Sequence, residues 1–343
     1  MNSRNSRNRR NSRSDPLHPP VPPISSRAEP RFASAARKDA LAGAFQDQGE
    51  DYDRLRPGYP VAALDAMLAQ VTASGSSSGS SSGSASDSSA DRPLRAVDLG
   101  AGTGKLSWAL VDRGLEVIAV DTSAAMLETA LRRGNGPGPS TDPVTDPTPE
   151  PAADPTPEPA ADPTRPPAAH RSTRLSTHLA VAEATGLPEG CADLITVAQA
   201  WHWFDAVEAS AEVVRLLAPG GVLALVWNML DVTIPWVHRL SRIMHAGDIH
   251  REDFLPTVGA RLELVERSVH RWEDPMPTGD VIDLARTRSY VITAPEERRA
   301  KVLANLDWYL HDHLGHAPGA LVGVPYRTDL FLYRVAGRPV AST

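Results

Sequence analysis

The sequence has one cysteine, Cys191, in 343 residues. An internal disulfide is therefore excluded, and a reducing, cytoplasmic setting is expected. No apolar run approaches the thickness of a bilayer, and the first 30 residues lack the apolar core of a signal peptide. Neither a membrane span nor a secretory leader is expected. An excess of positive charge is also missing, because the formal net charge is −7. That balance gives the whole chain no general attraction to nucleic acid or anionic lipid. The exception is the head, where Arg4, Arg7, Arg9, Arg10 and Arg13 precede Asp15. Weak polyanion contact is the one nucleic-acid interaction left to this tail, beside a plain solvated role.

Large apolar residues are scarce in three stretches. Residues 1–40 read as a disordered basic tail, since they cannot bury enough surface to offset chain entropy. Residues 73–92 contain "SGSSSGSSSGSASDSSA" and read as a flexible Ser/Gly insert. Residues 134–173 carry "DPTPEPAA" from Asp146 and again from Asp154, then "DPTRPPAA" from Asp162. A proline-rich octet without large aliphatic residues makes an extended insert, not a solenoid. With a short tail at 338–343 also set aside, about one ordinary domain remains, interrupted twice within 41–337.

Within it, short apolar runs alternate with helical patterns. Strands are expected at 95–100, 115–121, 178–184, 192–200 and 221–227, each compact and rich in branched side chains, as suits burial on both faces. Between them, "KLSWALVDRG" and "SAAMLETALRRG" close on Gly114 and Gly134, and "DAVEASAEVVRLL" opens with a capping-box-like Asp205 and Glu208. Later strands are expected at 261–272 and 326–337, with a helix at 294–314. This order predicts an α/β fold with a doubly wound, mostly parallel sheet.

The bend "VDLGAGTGK", residues 97–105, carries the functional signal. A phosphate-gripping loop needs G-x-x-x-x-G-K-[ST]. Gly100 to Gly104 is one residue short, and Leu106 stands where Ser or Thr is required. The dinucleotide fingerprint G-x-G-x-x-G matches Gly100 and Gly102, but Lys105 occupies its third glycine site. Asp121 ends the next strand, where an acid can take ribose hydroxyls in either nucleotide reading. A ligand with adenosine but no phosphate fits the small-residue bend better, with Asp98 orienting the loop or the ligand's amino group.

"VDLGAGTG" followed by that acid resembles the class I S-adenosylmethionine-dependent methyltransferases. "AEATGLPEGCADLITVAQAWHWFD" (182–205), "LLAPGGVLALVW" (216–227) and the lead-in "FQDQGEDYDRLRPGYP" (45–60) are similar to their small-molecule, type 11-like branch. The resemblance spans residues 41–337 apart from the inserts. It implies a Rossmann-like sheet of seven strands with the last antiparallel, S-adenosylmethionine as cofactor, and a small-molecule methyl acceptor. Carried onto this chain, Gly100, Ala101, Gly102 and Gly104 form the loop, and Asp121 binds the ribose. Thr122 and Met126 sit beside the adenosine, Ala182 and Glu183 mark the adenine edge, and Gln199 faces the methionine portion. Met126 also suits a core position, and Glu183 a solvated one.

A sulfonium methyl group is already activated, so alignment and exclusion of water do most of the work. His202 is the candidate base where the acceptor must lose a proton. Trp201 and Trp203 either line the acceptor pocket and cover the sulfonium, or pack a crossover against the sheet. Tyr52 and Arg56 either close the site, with Arg56 suited to a carboxylate of cofactor or acceptor, or serve as a structural lid. The acceptor lid is expected in residues 229–254. His311, His313 and His316 are read as solvated, without a metal, because positions i and i+2 of a helix face apart. An NAD(P) oxidoreductase and a catalytically silent cofactor-binding protein are the alternatives.

Overall fold

The computed structural model describes residues 53–76, 92–134, 173–246 and 249–337. The basic tail, Tyr52 and most of both inserts lie outside the described residues. Seven strands form one sheet in the order β3-β2-β1-β4-β5-β7-β6. They are β1 (Arg95–Leu99), β2 (Glu116–Asp121), β3 (Leu175–Leu179), β4 (Ala192–Ala198), β5 (Leu217–Leu230), β6 (Leu262–Pro277) and β7 (Leu321–Val335). Strands β1 to β5 pair in parallel, whereas β7 runs antiparallel to both β5 and β6. Consecutive strands and helices therefore wind outward from β1 in one direction, then restart at β4 and continue in the other.

Alternation along each strand builds the core on two faces. Leu194, Val222, Ala224 and Val226 pack on one side with Leu106, Trp108 and Leu110 of α2 (Lys105–Val111) and Leu64 and Met67 of α1 (Val61–Ser76). Ile195, Val197, Leu223 and Leu225 face the other side, against Ala209, Val213 and Leu216 of α4 (Ala206–Leu216). Helix α3 (Ala124–Gly134) follows β2. Ile195 is fully buried, so Ile195→Ala should cost about 2–5 kcal/mol.

A third apolar cluster caps the end of the sheet where β5 stops and β7 starts. It joins Leu230 and Tyr326 to Val237 and Leu240 of α5 (Pro235–Ile243), Val281 of α6 (Thr278–Asp283), Val291 of α7 (Ser289–Ile292) and Leu306 of α8 (Glu296–Trp308). A 3₁₀ turn, Leu284–Thr287, links α6 to α7.

Several expected boundaries move: β6 runs on to Pro277, β7 begins at Leu321, and the helix expected at 294–314 ends at Trp308. The strand expected at 178–184 is Leu175–Leu179, with only a bridge between Val181 and Ala184 beyond it. The chain turns there because the Glu212 carboxylate accepts both the backbone N–H and the hydroxyl of Thr185, and the His178 ring bonds the Thr185 carbonyl. Helix α1 continues to Ser76, into residues assigned to the Ser/Gly insert. Strand β5 begins at Leu217, before the "APGG" turn, and rejoins β4 across a bulge.

Candidate active site

Strand order reverses between β1 and β4, and this is where open α/β sheets leave a ligand crevice at their carboxyl ends. A pocket lies there. Its floor is Asp98, the bend Gly100–Ala101–Gly102–Thr103, and Ala198 and Gln199 at the end of β4. Its other wall combines Arg56, Tyr59, Lys105, Asn228, Arg288 and Tyr326.

Each glycine of the bend has its own reason. Gly100 (φ +68°) and Gly104 (φ +75°) are left-handed, and an added Cβ would stand 2.6 Å from the Ala200 Cβ and 2.8 Å from the Ala130 Cβ respectively. Those two allow close packing. Gly102 (φ +55°) would meet nothing within 4 Å, so its missing side chain leaves open space at the pocket. The Gly100 and Ala101 N–H groups donate to the Val120 carbonyl, Gly104 N–H to the Ala101 carbonyl, and Gly102 N–H to the Asp121 carboxylate at 2.9 Å. These four amides are engaged within the chain. None of them is presented to a pyrophosphate.

The two acids differ in environment. Asp121 accepts the Gly102 and Ser123 backbone N–H groups, one on each oxygen, and stays part-exposed at the end of β2. Each oxygen keeps further acceptor capacity. Asp98 is buried and accepts the Ser107 and Thr196 hydroxyls at 2.6 and 2.7 Å. Burial raises its pKa to about 6, against the lowering effect of those two hydrogen bonds. Asp98 thus ties β1 to β4 and α2 beneath the bend.

The segment before α1 closes the crevice from above. Asn228 Nδ2 donates to the Gly58 carbonyl at 2.6 Å, Arg56 donates to the Thr287 carbonyl at 2.7 Å, and Lys105 Nζ donates to the Arg56 carbonyl. Burial lowers the Lys105 pKa to about 8, partly countered by Asp53. Gln199 has a left-handed backbone (φ +59°), and its Nε2 donates to the Asn228 carbonyl at 2.6 Å. A non-glycine residue held there stores backbone strain at the pocket's edge.

A profile for the family described as "Methyltransferase domain" matches residues 97–225, which hold β1, the bend and β4. An uncharacterized methyltransferase of Mycobacterium tuberculosis is 32% identical over 278 residues, covering 81% of this chain and 89% of that relative. The chain belongs to the methyltransferase-domain family. A protein from Methylobacterium radiotolerans named trans-aconitate 2-methyltransferase is 29% identical over 222 residues, 64% of this chain and 67% of that one. Among solved structures, a candidate type II methyltransferase from Anaeromyxobacter dehalogenans shares the fold with a TM-score of 0.50, 22% identity, and 81% and 96% of the two chains covered.

In this methyltransferase Gly100, Ala101, Gly102, Asp98, Gln199 and Arg56 line the pocket, whereas Gly104 and Asp121 are not among its lining residues, Asp121 being fastened to the bend through Gly102. Thr122 is exposed, and Met126 and Ala182 are buried. Glu183 accepts the Asp205 N–H at 2.8 Å, ahead of α4. Trp201, His202 and Trp203 form a 3₁₀ turn outside the lining residues. Trp201 is buried, its indole N–H donating to the Thr257 carbonyl, and the His202 and Trp203 rings lie 5.3 Å apart. Among the described residues of 229–254, none lines the pocket. Sequence reasoning missed Asn228, Arg288 and Tyr326, and used Lys105 only as a mismatch to the dinucleotide motif. The Lys105 signal was present, as a cation next to the bend.

Among the described residues no group of three or more His, Cys, Asp or Glu side chains is placed to hold a metal ion. His311 bonds the His316 carbonyl, and His313 stacks on Tyr309. No described helix is long and apolar enough to cross a membrane.

Proposed function

We propose that this chain binds S-adenosylmethionine in the crevice between β1 and β4 and directs its methyl group to a small molecule on the arginine-bearing wall. The observation that carries the reading is the bend itself. Its N–H groups at Gly100, Ala101, Gly102 and Gly104 bond within the chain, and Gly102 leaves open space. A cradle of that kind suits an adenosine whose linkage carries no phosphate better than a dinucleotide's pyrophosphate.

The residues present fit the cofactor. Asp121 would hold the ribose hydroxyls, the bend would pass close to the methionyl chain, and Gln199 would face the methionine portion. Bound there, the cofactor supplies an activated methyl group on a sulfonium. The chain's own part is positioning: Asp98 fixes the bend, and the segment from Arg56 to Tyr59 excludes water over the site. We assign the transfer no obligatory base, since no lining residue is a histidine. A relative named for a small organic acid supports a small-molecule acceptor.

Titration calorimetry decides between nucleotides. S-adenosylmethionine and S-adenosylhomocysteine should each bind with a stoichiometry of about one, and NADH should give no heat. Binding of NADH alone would overturn the reading.

A further inference from the structure

A ligand with a methionyl end brings a carboxylate into the crevice, and a carboxylate enclosed there needs donors. The bend supplies none, because the Gly100, Ala101, Gly102 and Gly104 N–H groups all bond within the chain. The side-chain amides opposite are engaged as well. Gln199 Nε2 donates to the Asn228 carbonyl, and Asn228 Nδ2 donates to the Gly58 carbonyl.

Lys105 differs. It lines the pocket together with Gly102 and Thr103. Among the described residues its Nζ has a single acceptor, the Arg56 carbonyl. An ammonium group has three N–H donors, so the others remain for a ligand. Neither neighbouring carboxylate bonds it. Asp53, on the covering segment, pairs with Arg133 of α3. Asp274 of β6 acts on the Lys105 charge without a hydrogen bond to it among the described residues. Arg133 and Arg56 oppose the pull of those two acids. A half-buried ammonium that bonds only a neutral carbonyl is poorly compensated. An anionic ligand group meeting it would offset that cost.

We propose that Lys105 binds the carboxylate of the cofactor's methionyl end while still donating to the Arg56 carbonyl. This rests on the cofactor reading given above. One ammonium then joins the ligand to the covering segment. Lys105 is thereby the residue that selects adenosyl ligands bearing an amino-acid end over plain thioadenosines. The selection depends on pH. Burial lowers the Lys105 pKa to about 8 in the empty site. Below that value the charged amine holds the carboxylate, and affinity falls as pH rises above it.

Calorimetry with three ligands tests the assignment. Decarboxylated S-adenosylmethionine lacks only the carboxylate, whereas methylthioadenosine lacks the whole amino-acid end. Wild-type protein should bind S-adenosylmethionine roughly 10- to 100-fold more tightly than its decarboxylated form, the range for a charge-assisted hydrogen bond. Lys105→Met should lose that factor for S-adenosylmethionine and lose nothing for the decarboxylated form. It should also keep wild-type affinity for methylthioadenosine, which reports a folded crevice. Lys105→Arg should recover part of the loss. As pH rises from about 7 to about 9.5, the ratio of wild-type to Lys105→Met affinity for S-adenosylmethionine should shrink. That ratio cancels titration of the ligand's own amine. Should Lys105→Met fail to fold, Lys105→Arg decides, since it keeps its charge and should flatten the wild-type fall above pH 8. Equal wild-type affinity for S-adenosylmethionine and its decarboxylated form overturns the proposal and leaves the cofactor reading standing. Unchanged S-adenosylmethionine affinity in Lys105→Met, equal losses for all three ligands, or a ratio constant with pH does the same. Absence of wild-type binding to both S-adenosylmethionine and S-adenosylhomocysteine overturns both.

Discussion

The Asp121 carboxylate accepts the Gly102 backbone N–H at 2.9 Å. One side chain at the end of β2 therefore shapes the bend after β1 and stands where a ribose would arrive. Asp121→Ala removes both roles. Affinity for S-adenosylhomocysteine should fall at least tenfold by calorimetry, with a stability loss of about 1–3 kcal/mol in urea titration. Unchanged affinity would detach Asp121 from the cofactor.

The bend glycines should separate into two kinds. Gly100→Ala and Gly104→Ala push a Cβ into Ala200 and Ala130 as well as straining a left-handed backbone. Each should lower stability by about 2 kcal/mol or more. Gly102→Ala meets no neighbour and should cost about 1–2 kcal/mol, while its Cβ takes up ligand space and weakens S-adenosylhomocysteine binding. Thermal melts paired with titrations check this, and equal melting losses for all three would contradict it.

Asp98 makes a pH prediction. Its carboxyl is raised from 3.8 to about 6, chiefly by burial. Between those values the folded chain holds a proton that the unfolded chain releases. Stability on this account falls as pH rises through the window, and the loss is complete above about 6. Glu212 acts oppositely: its Arg215 partner holds it down to about 2, so its contribution is lost only as pH falls through that low range. Asp98→Asn should therefore gain stability relative to wild type between pH 4 and 7. Denaturant titrations at several pH values, run on both proteins, would show a constant difference if Asp98 carried no shifted proton.

Lys105 titrates in the folded chain near 8, lowered first by burial and raised again by Asp53, with Arg133, Asp274 and Arg56 also acting on it. Below about pH 8 the fold bears the cost of that buried charge. Stability should rise with pH between about 8 and 10.5, where the unfolded lysine is still protonated. Lys105→Met should abolish this rise in urea titrations, and persistence of the slope in the variant would assign it elsewhere.

The fold was largely legible because its signals are local. Compact apolar runs marked β1, β2 and β4, and Asp205 marked the start of α4, where its side chain indeed accepts the Val207 and Glu208 N–H groups. The bend and its contact with Asp121 are local too, Gly102 and Asp121 lying 19 residues apart in one βαβ unit. The opposite wall of the pocket was not legible. Arg56, Asn228, Arg288 and Tyr326 come from distant parts of the chain and meet only through the β5–β7 pairing and the cap packed against it. For Trp201 the sequence allows a pocket lining or a packed crossover, and its burial and bond to the Thr257 carbonyl depend on a loop 56 residues away.

The most direct measurement is a crystal structure with S-adenosylhomocysteine bound. The adenosine should lie across the carboxyl ends of β1 and β2, with both ribose hydroxyls on Asp121 and the thioether sulfur beside Gly102. Adenosine seated away from that crevice, or ribose held by another residue with Asp121 bonded only to Gly102 and Ser123, would contradict it.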